Sequence, residues 1–204
     1  MASTFTSLGV ELMATGENAG TWGTKTNTNL NIIEQISGGY ATQAVAGTGA
    51  TNLIPADGAT GSSLANRVIE LTGTITANIQ VTVPVDVTNF YFIKNTTSGA
   101  YTVEFKYISG SGSSVTFGTT DKGTKIINAE GNSAVNPDMT ELTVAAAAGT
   151  TGQVQINNSG AFGAVAEGTS GFILTSKGTG SPPVFEVNTG VSTGKAIAMA
   201  MIFG

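Results

Sequence analysis

Alternating apolar and polar residues mark the middle of this chain as strand-forming. From Tyr101 to Tyr107 every second residue is apolar and the residues between them are Thr, Glu and Lys. An extended strand with this pattern buries one face and exposes the other. Ile79–Val83 repeats the alternation, and Phe90–Ile93 is a continuous apolar run that suits a strand covered on both sides. The turn residues Asn95–Gly99 predict a hairpin that joins this run to the Tyr101 strand.

Helical spacing is convincing only near the N-terminus. Leu30, Ile33 and Ile36 recur at helical spacing, and the pair Gly38-Gly39 predicts the end of the helix. A helix of about a dozen residues is marginal by itself in water. We therefore expect this apolar stripe to pack on its own domain or on another chain.

The C-terminal part combines short apolar segments with glycine turns. Gly152–Gly160 is echoed by Gly171–Gly178, and each predicts a brief strand that runs into a turn. Units this small need strands of neighbouring units or neighbouring chains to complete a core. The last segment, Lys195–Phe203, alternates Ala with larger residues and is predicted as a strand buried on both faces. Its large side chains are candidate subunit-interface residues: Ile197, Met199, Met201 and Phe203.

These shifts in pattern divide the chain into residues 1–44, 45–143 and 144–204. The first segment contains the short helix, and the last is a Gly-rich β-repeat region. In the middle segment, short strands recur about every 8 to 12 residues. The predicted fold class is therefore mainly β: an N-terminal helix, a small antiparallel β-sandwich or jelly-roll-like domain, and C-terminal β repeats.

Composition excludes several function classes. The 204 residues include 8 Lys+Arg and 13 Asp+Glu, a net charge of -5, and 28 Gly. So few cations leave no basic stripe for nucleic acid or for an anionic membrane surface. The longest apolar run is far shorter than the ~20 residues that span a bilayer, and no basic segment precedes an apolar one at the start. We expect no membrane insertion, no secretion signal and synthesis in a cytoplasm.

Catalytic chemistry is restricted further because the chain has no Cys and no His. Thiolate nucleophiles, imidazole bases and Cys/His zinc sites are therefore absent from the sequence. Asp138 and Glu141 are the closest acidic pair, but the spacing of a calcium loop is missing, so solvated turn carboxylates are the favoured interpretation. We expect no enzyme, no metal site and no cofactor. The single tryptophan, Trp22, is either a plug of the local core or an anchor in a partner's pocket.

Longer segments of this chain resemble a known group of proteins. Ser7–Glu34 contains the pattern T-G-E-x-x-G-T-W-G-x-x-x-N and closely resembles the N-terminal segment of tail-fibre and related virion structural proteins of bacteriophages, notably marine phages that infect cyanobacteria. Leu71–Asn78 and Phe92–Lys106 look like the β domain that often follows it. Gly168–Phe185 is similar to short repeats of phage fibre and baseplate-associated proteins.

This resemblance implies a non-enzymatic virion component that is homotrimeric. Its N-terminal part would dock on the particle through Trp22, Leu30, Ile33 and Ile36, and its distal part would face the host. The receptor, a host surface glycan or protein, is not defined by the resemblance. The expected function is a tail fibre or short fibre component in host attachment, located in the virion. The alternatives are a capsid-decorating protein or head fibre and, from another class, a glycan-binding module, whereas a polysaccharide-cleaving tailspike is disfavoured.

Overall fold

The computed structural model describes residues 2–131, 135–143, 146–190, 197–198 and 200–202. The chain is mainly β, as predicted, with one α-helix near its N-terminus. Contacts divide it into two compact units, Met1–Thr143 and Val144–Gly204. The strands of the first unit are β1 Thr4–Phe5, β2 Glu11–Leu12, β3 Tyr40–Ala44, β4 Gly47–Asn52, β5 Val68–Thr72, β6 Ile75–Val83, β7 Thr88–Asn95, β8 Val103–Tyr107, β9 Val115–Phe117, β10 Thr124–Glu130 and β11 Met139–Glu141.

Strands β3 to β8 form three successive coils of a short parallel solenoid. Each coil contributes one strand to each of two sheets: β3, β5 and β7 pair in parallel in the first sheet, and β4, β6 and β8 pair in parallel in the second. Equivalent residues lie 28 positions apart between the first two coils, as in Tyr40 and Val68. They lie 24 apart between the last two, as in Val68 and Phe92. The chain therefore repeats a structural unit of roughly one coil.

Antiparallel strands complete both sheets after the third coil. Strand β9 pairs with β8, and β10 and β11 extend the first sheet beyond β7. The resulting strand orders are β11-β10-β7-β5-β3 in the five-stranded sheet and β4-β6-β8-β9 in the four-stranded sheet. The strands of the first coil, β3 and β4, are thus the end strands of their sheets.

A single core lies between the inner faces of the two sheets. Side chains of both sheets belong to one buried cluster, which includes Ile69 and Ile93 of the first sheet and Val81 of the second. The rings of Tyr91 and Phe105 meet edge to face across this core with centroids 5.9 Å apart. The buried Tyr91 hydroxyl donates to the Leu64 carbonyl oxygen at 2.9 Å, so its polar end is satisfied.

The prediction of an antiparallel sandwich or jelly-roll-like domain is wrong in its strand pairing. The apolar run around Phe90–Ile93 lies in β7 of the first sheet, and the alternating segment lies in β8 of the second sheet. Asn95–Gly99 is therefore a corner between sheets and not the predicted hairpin. Asn95 is buried and its Oδ1 accepts from the Thr97 N–H at 3.1 Å and the Thr97 hydroxyl at 2.7 Å. This side-chain turn bends the chain from one sheet toward the other.

The described residues of the second unit form two antiparallel hairpins and a short helical segment. Each predicted repeat supplies the first strand of one hairpin. Ser159 and Gly160 link the first hairpin, and both have positive φ, as a two-residue type I′ turn requires. The strands of the two hairpins are β12 Val154–Asn158, β13 Ala161–Val165, β14 Phe172–Thr175 and β15 Val184–Val187.

The prediction of a C-terminal strand is wrong for the described residues of that segment. Ile197, Ala198 and residues 200–202 are helical, and Ile197 and Met201 are exposed over 55% and 82% of their surfaces. Alanine and methionine are strong helix formers, and their intrinsic preference prevails over the alternation in the sequence. Met199 and Phe203 lie outside the described residues.

Candidate functional site

Helix α1, Trp22–Gly38, provides the N-terminal surface that the sequence singled out. Its inner side is fixed by the Asn29 amide, which binds the backbone of Glu11 in β2 twice: Oδ1 accepts from the N–H at 2.9 Å and Nδ2 donates to the carbonyl at 2.8 Å. Ile32 is fully buried on the same side. The helix ends at Gly38, and the N–H of the capping residue Gly39 donates to the Gln35 carbonyl at 2.8 Å. The helix is thus held in one orientation on its unit.

An ion pair also fixes this helix to β2. The Lys25 ammonium lies 3.0 Å from Oε2 of Glu11, whose side chain is nearly inaccessible to solvent. Lys25 and the amide of Asn18, 3.1 Å from Oε1, hold the pKa of the Glu11 carboxyl below its usual range. The carboxylate therefore stays ionised at neutral pH and binds both partners.

The outer side of α1 carries large apolar residues in contact with solvent. Trp22, Leu30 and Ile33 are exposed over 65%, 57% and 50% of their surfaces. Trp22 is therefore not a plug of the local core. Ile36, the remaining member of the predicted docking set, is half-buried. We call Trp22, Leu30 and Ile33 the exposed helix face.

Tyr40 extends this face into the five-stranded sheet, which the sequence analysis did not anticipate. An open groove of about 640 Å³ is lined by Leu30, Ile33, Gln35 and Tyr40, among others. The buried Oε1 of Gln35 has no hydrogen-bond partner among the described residues. Polar residues, Glu34 among them, share the lining with the apolar side chains, so the groove suits a polypeptide partner that presents both apolar and polar groups.

An apolar row runs from Tyr40 across the outer surface of the sheet. Tyr40, Val68, Phe92 and Ile126 are register partners on four neighbouring strands. Phe92 meets Phe90 edge to face, with centroids 5.7 Å apart. The parallel pairing of the coils places Tyr40, Val68 and Phe92 side by side, and the antiparallel strand β10 adds Ile126. The signal in the sequence would have been the recurrence of an aromatic or β-branched residue at the coil repeat.

The Tyr40 hydroxyl and two charged side chains border this row. Tyr40 donates to the Glu70 carboxylate, which also pairs with the Lys94 ammonium at 3.0 Å. These hydrogen bonds, that from Tyr40 first, lower the pKa of Glu70, and the Glu70 carboxylate raises the pKa of Lys94. Both groups are therefore charged across the neutral range, and the pair forms a polar edge to an apolar surface.

The acidic residues considered for catalysis are not brought into one site. Asp138 accepts from the Ser113 N–H and hydroxyl at 2.7 and 2.9 Å, whereas Glu141 binds the Lys125 ammonium at 2.8 Å. Among the described residues, no group of three His, Cys, Asp or Glu side chains is arranged to hold a metal ion. Nor does any described helix combine the length and apolar character needed to cross a membrane.

The other predicted interface residues lie in the second unit. Ile197 and Met201 are exposed, and Met199 and Phe203 fall outside the described residues. Comparison with known proteins adds no relative: no protein-family model, curated protein or solved structure matches this chain. The exposed helix face and its groove are accordingly the surface on which a functional proposal depends.

Proposed function

We propose that this chain is a structural component of a bacteriophage particle, a tail fibre or short fibre component that takes part in host attachment. The observation that carries the proposal is the exposed helix face, Trp22, Leu30 and Ile33, held rigidly on a β-solenoid. Tryptophan is enriched among the residues that dominate the energetics of protein interfaces, and exposed apolar side chains beside it suit such a contact. They lie within the segment that resembles phage N-terminal attachment regions.

Attachment to the particle is tested with the intact phage. We expect antibody or gold label on the chain to locate at the tail, and Trp22→Ala with Leu30→Ser to abolish incorporation into particles. Asn31→Ala is the matched control because Asn31 is exposed on the same helix outside this face. If the label is confined to the capsid, the tail assignment is wrong and the chain is a capsid-decorating protein or head fibre. Unchanged incorporation of the double variant would reject the helix face as the docking surface.

We also propose that three copies associate, as the resemblance implies. Support comes from the second unit, where Phe162, Ile173 and Val187 are exposed over 56%, 47% and 60% of their surfaces. Two-stranded hairpins are marginal in isolation, and strands of neighbouring copies would cover these side chains. Multi-angle light scattering of the full chain should give a trimeric mass that is lost on deletion of residues 195–204. A monomeric mass for the full chain would refute the trimer.

A further inference from the structure

The outer face of the four-stranded sheet carries a polar row that no function proposed so far uses. Ala50, Gln80, Glu104 and Thr116 are register partners on β4, β6, β8 and β9. Together with Asn78 and Thr102 they line a groove of about 450 Å³. Since neighbouring strands are about 4.8 Å apart, the row presents polar groups at regular intervals across the sheet.

Hydrogen bonds within the row fix two of these side chains. Gln80 Nε2 donates to Glu104 Oε2 at 2.8 Å, and the Ser114 hydroxyl donates to Glu104 Oε1 at 2.7 Å. Asn78 Oδ1 accepts from the Thr102 N–H at 3.1 Å. The carboxylate and both amides are therefore held in place before any ligand arrives, which lowers the entropy cost of binding.

The same side chains retain unused hydrogen-bonding capacity. Gln80 Oε1, Asn78 Nδ2 and the Thr116 hydroxyl have no hydrogen-bond partner among the described residues, and a carboxylate accepts more than two hydrogen bonds. The groove thus offers both acceptors and donors. A ligand rich in hydroxyl groups, each both donor and acceptor, matches this arrangement.

The charge of the groove further restricts the class of ligand that it can bind. The Ser114 hydroxyl, and after it the Gln80 amide, hold the pKa of Glu104 below its usual range, so the groove carries one negative charge at neutral pH. No lysine or arginine lines the groove, and Lys106, whose charge helps to lower the pKa of Glu104, lies two residues further along β8. The groove itself therefore supplies no cation for phosphates, nucleic acids or acidic sugars. The one large apolar lining residue, Ile79, is only 4% exposed, so an apolar peptide or lipid finds no anchor.

We propose that this groove binds a neutral glycan through Gln80, Glu104, Asn78 and Thr116. The proposal names a ligand class for the attachment role and rests on that role. Its test uses the purified full chain and is independent of particle labelling. If the chain binds no glycan, the groove proposal is wrong. The virion assignment is then still tested separately, by the labelling of particles.

The experiment is a glycan array printed with neutral hexose and N-acetylhexosamine oligomers beside sialylated and uronic-acid oligomers. Affinity for the best neutral oligomer is then measured by titration calorimetry. We expect binding to neutral oligomers only, weakened at least about tenfold in Glu104→Gln and in Gln80→Ala, since each removes hydrogen bonds to the ligand or the group that orients them. Circular dichroism verifies that both variants fold.

Glu70→Gln is the matched control, because Glu70 is a carboxylate at a strand position of the other sheet, outside the groove. It should leave glycan affinity unchanged. The proposal is overturned if the native chain binds no neutral oligomer, if acidic oligomers bind better, or if the two groove variants bind as tightly as the native chain. Equal weakening in Glu70→Gln would also overturn it, because the effect would then not belong to the groove.

Discussion

Glycines occupy the corners at which the chain passes from one sheet to the other. Gly73 and Gly99 have φ values of +113° and +106°, a region that side chains with a Cβ rarely adopt. A Cβ on Gly73 would lie 2.8 Å from the Val45 carbonyl oxygen, and one on Gly99 would overlap the Ile75 carbonyl oxygen. Each glycine therefore permits both the bend and the close approach of the neighbouring coil.

Gly99→Ala should lower the free energy of unfolding by about 2 kcal/mol or more, since it combines unfavourable φ with a backbone clash. Urea unfolding followed by circular dichroism measures the change. Gly23→Ala is the control: Gly23 lies in α1, has no atom within 4 Å of a built Cβ, and should gain about 0.5–1 kcal/mol of helix stability. Equal effects of the two substitutions would contradict this account of the corner.

Asp138 is expected to make the first unit less stable as the pH falls into the acid range. The Ser113 N–H and hydroxyl hold the pKa of the Asp138 carboxyl below its ordinary value of about 3.9. A group with a lowered pKa stabilises the folded state fully above the ordinary value, and the contribution is lost as pH falls through the folded pKa. Thermal unfolding between pH 7 and 2 should therefore show a smaller acid-induced loss for Asp138→Asn. Ser113→Ala, which retains the N–H, should have an intermediate effect, and identical profiles for all three proteins would refute it.

Two neighbouring isoleucines lie on different sides of helix α1. Ile32 is fully buried and Ile33 is 50% exposed. Ile32→Ala should cost about 2–4 kcal/mol of unfolding free energy because it leaves a cavity, whereas Ile33→Ala should cost less than about 1 kcal/mol. Urea unfolding of the two variants measures both changes. Each variant is the control for the other, because both replace Ile by Ala in the same helix and change helix propensity equally. If Ile33→Ala were the more destabilising, the exposed helix face would instead be part of the core.

Which residues form strands is visible in the sequence, but how the strands pair is not. Alternation in Tyr101–Tyr107 predicts an extended segment with every second side chain inside. The structure confirms this for Val103, Phe105 and Tyr107, whereas Tyr101 lies outside β8 and is 39% exposed. Parallel pairing depends on the coil repeat, and this repeat is not evident from the residue types. Gln43, Leu71 and Asn95 occupy equivalent inward positions in the three coils yet share no chemistry. Because few residues recur at the coil repeat, a local turn signal favours the hairpin instead.

The same limit applies to the candidate surfaces. Leu30 and Ile33 are three residues apart on one helix, so their spacing alone places them together, whereas Trp22 precedes the predicted helix and joins its first turn only in the structure. Tyr40 and the polar row of Gln80 and Glu104 lie on different strands, and only the register of the coils brings their neighbours into contact. Surfaces within one element could be predicted from the sequence, whereas surfaces across elements could not.

At the scale of the whole molecule, several of the sparse charges lie in ion pairs. Lys25, Lys94, Lys125 and Lys177 each contact a carboxylate. The exposed pair that Lys177 makes adds little stability, typically below about 1 kcal/mol. What differs between the outer surfaces is their polarity: an apolar row lies on the five-stranded sheet and a polar groove on the four-stranded sheet. One solenoid thus offers one surface suited to a protein and another suited to a hydroxyl-rich ligand.

The two units should differ sharply in autonomous stability. The main buried cluster comprises residues from Val45 to Met139, so it lies entirely within the first unit. A fragment of residues 1–143 should therefore unfold cooperatively, with a midpoint within a few degrees of the corresponding transition in the full chain. A fragment of residues 144–204 should show no cooperative transition by itself, because two-stranded hairpins bury too little apolar surface. Scanning calorimetry of both fragments checks this. Cooperative unfolding of the shorter fragment at low concentration would mean that its exposed apolar residues need no second copy, which would remove the physical support for the trimer.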